Sequence, residues 1–354
     1  MSTIRDVALL AGVSITTVSH VVNNTRRVSA DRSARVQAAI AQLGYQPNAV
    51  ARSLRVNETR MFGMIVPDNS NPYFAEIARS IEDASFEFGY SVILCNSDED
   101  AFKERAYLEL LVEKRVDGIA FVATGNHADG LDAIAARGLP VVLVDRDVDS
   151  DAWDSVLVHN YKGGREAVAH LIQLGHRHIG CISGPRGLGP SGERVRGYRA
   201  ALRAADIAAD PARIVEGDFH AEGGYHSMRE LLRRDPAISA VFACNDMMAV
   251  GALRALGEQG LRTPQDVALV GFDDIALASY TQPALTTIAQ PYQEIGRRVT
   301  QLLVDRANGG TAAPERIRLE PRLVVRASCG AALAAAGATT DRPEASTLST
   351  ATSP

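Results

Sequence analysis

At 354 residues the chain exceeds one ordinary core and suits two or three compact units. Its 46% hydrophobic and 22% charged content is that of a soluble globular protein. No apolar run approaches the roughly 18 residues of a membrane helix, and the N-terminus lacks a secretion-signal pattern, so a cytoplasmic location is expected. The net charge of −5 hides an asymmetry: residues 1–60 carry eight arginines and no lysine against Asp6, Asp31 and Glu58, whereas the remainder is acidic. A basic head on an acidic body fits a polyanion-binding module joined to another kind of domain, or a merely solvated surface.

In "IRDVALLAGVS", Ile4, Val7, Ala8 and Ala11 recur at helical spacing until Gly12 breaks the run. In "SADRSARVQAAIAQLGY", Val36, Ile40 and Leu43 share a face and Gly44 stops the helix. The intervening "VSITTVSHVVNN" then predicts a short helix capped by Ser14 after a tight turn at Ala11-Gly12-Val13, which is a helix-turn-helix. Val18, Val21 and Val22 are expected inside, and Ile15, Thr16, Thr17, Ser19 and His20 outside. Short hydroxyl side chains and imidazole are weak helix formers, so their density is poor design for a solvated face. On a helix in the major groove the hydroxyls serve phosphates or base edges, His20 a purine and Ile15 a thymine methyl. In "YQPNAVARSLR", Pro47 ends the third helix and Asn48 caps a helix of about two turns, marginal by itself. Leu54 between Arg52 and Arg55 has the arrangement of a minor-groove wedge.

From residue 61 the pattern becomes alternating apolar strands and amphipathic helices. The strands include "FGMIVP", "SVILCN", "GIAFVA", "PVVLVD", "HIGCIS", "AVFACN" and "VALVGFDD"; helices include 74–88, 102–114, 162–174, 192–204, 223–234 and 246–259. Such runs imply parallel sheets covered on both faces, a doubly wound α/β body whose ligand sits beyond the carboxyl ends of the strands. Those ends are polar: Asp68 to Phe74, Asp145-Arg146, Asn245-Asp246, Phe272-Asp273-Asp274 and Gln290. Carboxylate, amide and guanidinium groups match the vicinal hydroxyls of a sugar, and Tyr73, Phe74, Phe219 and Phe272 offer flat walls for its ring.

Other features carry no chemistry. "GLGPSG" at 187–192 fits a dinucleotide fingerprint, but Pro190 and the nearby Arg194 make it a cleft loop. His176 and His178 lack carboxylate or thiolate support for a metal, and no nucleophile–base pair stands out. The expectation is therefore no enzyme, no cofactor and no metal. Cys95, Cys181 and Cys244 read as core residues and Cys329 as incidental.

Residues 3–56 resemble the DNA-binding head of the LacI/GalR repressor family. The resemblance implies that Ile15, Thr16 and His20 read bases, that Thr17, Ser19 and Asn23 hold the backbone, and that Ala51 and Leu54 sit at a central minor groove. It also implies a homodimer on a near-palindromic double-stranded operator. Residues 61–328 resemble the periplasmic-binding-protein-like core of the same repressors. Asn71, Tyr73, Phe74, Asp145, Arg146, Arg194, Phe219, Asn245, Phe272, Asp273 and Gln290 are thereby implied to contact a small sugar. Phrases such as "KRVDGI" and "GDFHAEGGYHSMRELL" are similar to the ribose operon repressors, implying ribose, with another sugar or a purine corepressor as alternatives. From another class, a transport-type sugar-binding protein uses the same body. Departures are Arg146 beside Asp145, and "VHN" at 158–160, where His159 puts local pocket geometry in question.

The implied division is a head at 1–47, a hinge helix and linker at 48–60, a core at 61–328 and a disordered tail at 329–354. The core splits into an N-subdomain, about 61–160 and 291–320, and a C-subdomain, about 161–290 and 321–328. The tail lacks leucine heptads, which favours a dimer over a tetramer. Closure of the subdomains on sugar is expected to change the spacing of two hinge helices and release the operator, although the family also contains corepressor-driven members.

Overall fold

The structure is a computed structural model that describes residues 2–23, 26–45, 58–123, 130–146, 148 and 152–332. The chain divides between Thr59 and Arg60 into two units. The expected hinge helix, with Asn48, Ala51, Arg52, Leu54 and Arg55, lies outside the described residues, as does the tail beyond Ala332.

The first unit contains α1 (Ile4–Ala11), α2 (Ile15–Asn23) and α3 (Ala30–Leu43). Thr3 and Asp6 start α1 with a capping box, each side chain accepting from the other's backbone N–H. Gly12 ends it at φ 60°, a left-handed conformation that costs glycine little. The chain re-enters a helix at once, because Ser14 Oγ accepts the Thr17 N–H at 3.1 Å, and α1 and α2 meet at 106°. Val7, Ala8, Ala11, Val18, Val36 and Ala39 form the core of this unit, with Val21 and Val22 packed at its margin.

The second unit is built on two six-stranded sheets. The first has the order β11-β5-β4-β3-β1-β2, from β1 (Met61–Val66), β2 (Ser91–Asn96), β3 (Gly118–Phe121), β4 (Val141–Val144), β5 (Asp154–Val158) and β11 (Arg316–Leu319). The second has the order β12-β10-β9-β8-β6-β7, from β6 (Ile179–Ser183), β7 (Ile214–Glu216), β8 (Ala240–Ala243), β9 (Ala268–Asp273), β10 (Thr286–Ala289) and β12 (Arg322–Val324). Every pairing is parallel except that of β12 with β10, the one departure from the all-parallel expectation. The strands β3, β4, β5, β8, β9 and β10 are buried along their whole length. Helices on both faces cause this: α4 (Pro72–Glu87), α5 (Ala101–Glu113), α6 (Leu131–Ala135), α7 (Asn160–Gln173), α8 (Gly189–Ala204), α9 (Ala221–Arg234), α10 (Asp246–Glu258) and α11 (Tyr292–Ala307).

The chain order reverses between β1 and β3 in one sheet and between β6 and β8 in the other. These reversals open crevices at the strand carboxyl ends, where ligands bind in such sheets. Three connections join the sheets among the described residues: β5 to α7, β10 to α11, and β11 to β12. All four cysteines are buried, including Cys329, which the sequence marks as incidental; its thiol lies 3.3 Å from His170 Nε2. No single helix among the described residues is long and apolar enough to cross a membrane.

Candidate functional site

On α2, Ile15 is 45% exposed and Thr16 is exposed, whereas Thr17, His20 and Asn23 are half-buried. The Thr17 hydroxyl already meets Ser14 Oγ at 2.9 Å, so it serves the helix cap as well as any outer partner. Ser19 corrects the expectation of an outward hydroxyl, being buried at 8% exposure. Asn23, one turn on, folds back over it, its Nδ2 donating to Ser19 O at 2.8 Å and Oγ at 3.3 Å.

In the second unit the strand ends converge on a narrow cleft with free space of about 30 Å³, roughly that of one water. Asn71, Tyr73, Phe74, Asp145, Arg146, Arg194, Phe219, Asn245 and Asp273 line it, all expected from sequence, together with Leu188 and Pro190. The last two belong to the loop assigned to the cleft from sequence, where Pro190 is part of that reading and Leu188 is not singled out. Asn71 caps α4 by accepting the Tyr73 N–H at 3.1 Å, and this places Tyr73 and Phe74 at the helix start. Asn245 caps α10 in the same way through the Met248 N–H at 2.9 Å, while its amide donates to Phe219 O at 2.9 Å.

Three lining residues, Asp145 at φ 63°, Phe219 at φ 66° and Asp273 at φ 112°, hold left-handed backbone without being glycine. Such conformations cost about 1–3 kcal/mol each and persist where the surroundings impose them, commonly at ligand sites. The surroundings here are the strand ends: Asp145 N–H donates to Val156 O at 3.2 Å, and Gln290 N–H to Asp273 O at 3.3 Å.

The charged groups are buried and mutually engaged. Arg194 is 3% exposed; its Nε donates to Asn160 Oδ1 at 2.8 Å, its Nη1 to Cys244 O, and Nη1 lies 3.5 Å from Asp273 Oδ1. Arg146, also 3% exposed, donates to Ala123 O at 2.8 Å, faces Glu99 at 3.4 Å and lies over the Phe74 ring. The Tyr73 hydroxyl donates to Asp145, and Gln290 Nε2 donates to Asp273 Oδ1 at 2.7 Å. Burial pushes the Asp273 carboxyl up to about 7, with Arg194 and Gln290 opposing the shift and Asp145 adding to it. Burial first, then Asp145 and Asp273, raises the Tyr73 phenol well above its ordinary range, so it stays a hydrogen-bond donor.

One sequence assignment changes and one becomes indirect. Phe272 is fully buried and does not line the cavity; its ring lies under the Arg194 guanidinium, 3.7 Å from the centroid, and supports that side chain. His159 is also absent from the lining, pairing with Glu320 at 3.8 Å, while Asn160 beside it holds Arg194. Gln290 is 5% exposed and reaches the site through Asp273 and Tyr73. Among the described residues no group of histidine, cysteine or carboxylate side chains is placed to hold a metal.

Residues 3–48 match the bacterial regulatory proteins of the lacI family, and residues 59–327 match the periplasmic binding proteins and sugar binding domain of the LacI family. The chain belongs to the LacI family. The HTH-type transcriptional repressor PurR of Pasteurella multocida (strain Pm70) is 42% identical over 93% of this chain and 98% of its own length. Among solved structures, the Lac repressor dimer bound to operator and the anti-inducer ONPF is 30% identical, covers 93% of this chain and 99% of that one, and has a TM-score of 0.83. A LacI-family regulator from Enterococcus faecium with bound ribose is 34% identical over 76% of this chain and 98% of its own, at a TM-score of 0.69. This LacI-family chain is thus a DNA-binding transcriptional regulator with an effector-binding body, and not an enzyme. The expected likeness to ribose operon repressors stands beside a 42% likeness to PurR, so the likeness alone does not select the effector.

Proposed function

We propose that the chain is a repressor whose operator affinity is switched by a small polyol, D-ribose, held between the two sheets of the body. In this reading the head spans 1–47, the hinge 48–60 and the effector-binding core 61–328, and a homodimer is the DNA-binding form. Ile15, Thr16 and His20 read bases; Thr17 and Asn23 hold the backbone with Ser19 behind them; Ala51 and Leu54 enter the minor groove. Ribose closes the cleft, alters hinge spacing and releases the operator.

The observation that carries the effector assignment is the polar content of the cleft. Asp145, Asp273, Arg146, Arg194, Asn71 and Asn245 line the cleft together with Phe74 and Phe219, and the cleft must open to admit a sugar. A pentose has hydroxyls around its whole rim, each both donor and acceptor, and so meets such a set while its ring faces the aromatic side chains. A neutral purine base concentrates its donors and acceptors on a few in-plane edges. It therefore meets fewer of the cleft's polar groups than a ring with hydroxyls on every side.

A purine corepressor is the second reading, favoured by the 42% identity to the P. multocida repressor. Calorimetric titration of the full-length chain with D-ribose and with hypoxanthine, paired with operator titrations, separates the two. Saturable ribose binding that weakens operator affinity is expected. Hypoxanthine binding that tightens it overturns the ribose assignment.

A further inference from the structure

Asp246 follows Asn245 at the start of α10, and its side chain is fully buried and outside the cavity lining. Its carboxyl joins segments remote in sequence: Oδ1 accepts the Thr287 hydroxyl at 2.6 Å and Oδ2 accepts the Ile275 N–H at 3.0 Å. Ile275 stands two residues beyond Asp273, and Thr287 three before Gln290. One buried group therefore ties together the strand ends that bear Asn245, Asp273 and Gln290. The neighbouring strand is shaped to admit it, since a Cβ at Gly271 of β9 would come within 2.1 Å of Asp246 Oδ1.

We propose that Asp246 is a positioning residue for the effector, setting the relative placement of three cleft segments without touching the ligand. This rests on the effector reading given above. Burial first, then the nearby Asp273, holds the Asp246 carboxyl well above the ordinary carboxylate range, against the opposing hydrogen bonds of Thr287 and Ile275. An amide spans the same two partners: an asparagine carbonyl accepts the Ile275 N–H, and its NH2 group donates to the Thr287 oxygen in place of the hydroxyl's donation to Oδ1. Leucine fills a similar volume and offers neither bond. The pair of substitutions separates positioning by hydrogen bonds from simple packing.

The test is D-ribose affinity, by calorimetry, of the full-length chain and of its Asp246→Asn, Asp246→Leu and Thr287→Val variants. Two lost hydrogen bonds at about 1 kcal/mol each predict Asp246→Leu at least about tenfold weaker and Thr287→Val about threefold to fivefold weaker. Asp246→Asn is expected to stay within about threefold of the parent chain. Equal affinity of Asp246→Leu and the parent, or a defect in Asp246→Asn as large as that of Asp246→Leu, overturns the inference. Where Asp246→Leu does not fold, Thr287→Val decides: unchanged ribose affinity overturns it. A parent chain that takes hypoxanthine and not ribose overturns the effector reading instead, and the same variants are then titrated with hypoxanthine for the same pattern of loss.

Discussion

Asp273 reaches the cleft from a left-handed backbone at φ 112°, with Arg194 3.5 Å away and its carboxyl pushed up to about 7 by burial. In the unfolded chain the same group titrates near its ordinary value of 3.8. The folded chain therefore holds a proton there that the unfolded chain has lost between about pH 4 and pH 7, and this group's contribution to stability falls as pH rises through that window. Sugar hydroxyls that donate to the carboxylate select its ionised form, so binding near neutrality releases a proton. Ribose affinity is expected to be roughly tenfold lower at pH 6 than at pH 8, and to become weak and flat with pH in Asp273→Asn. Calorimetry in buffers of different ionisation enthalpy checks both; proton uptake on binding would contradict the assignment. The sequence exposed Asp273 because a carboxylate closing a buried apolar run stands out. It misplaced Phe272 because sequence does not show that the Arg194 guanidinium lies over that ring, and Phe272 is fully buried beneath it. Ser19 was misread for a related reason: helical spacing gives direction but not the Asn23 side chain that covers the hydroxyl.

The elements that aim Arg194 and Asn160 are α8 and α7, and they cross on glycine. A Cβ at Gly164 would lie 2.4 Å from Arg194 O, and one at Gly197 would lie 2.3 Å from Tyr161 O. Gly164→Ala must therefore force the helices apart, at about 1–3 kcal/mol of stability, and drag the guanidinium from its place over Phe272. Thermal unfolding and ribose titration of that variant should both show a loss. Gly257 of α10 is the contrast, because a Cβ there meets nothing within 4 Å. Gly257→Ala is expected to raise stability by about 0.5–1 kcal/mol with ribose affinity unchanged. The crossing glycines were not legible, since a helical pattern does not say which partner a small residue faces. Most central strands were legible from their β-branched runs, but the buried β5 "DSVLV" and β10 "TTIA" were not named as strands, nor were β7 "IVE", β11 "RIRL" and β12 "RLV". The last three are three or four residues long, lie at sheet edges and carry exposed charged positions, which removes the continuous apolar signal.

For the whole molecule, the basic residues 1–60 against an acidic remainder confine attraction for a polyanion to the DNA-binding unit, so operator affinity should fall steeply with salt. Base reading is a separate matter, because phosphate contacts orient the protein and groove contacts choose the sequence. His20 stands on the second helix of the helix-turn-helix, half-buried, with exposed Thr16 one turn earlier. His20→Ala is therefore expected to relax preference at one operator base pair by about 1–3 kcal/mol while leaving the slope of log K against log salt unchanged. Leu54→Ala tests the other half of the reading, that a hinge wedge opens a base step: specific binding should weaken while nonspecific, salt-sensitive binding persists. Titrations of both variants on the operator, on single-base variants of it and on random duplex, each at several salt concentrations, separate these effects. A shallower salt response in His20→Ala, or equal loss by Leu54→Ala on operator and random duplex, would show that the two side chains act through charge or folding and not through the grooves.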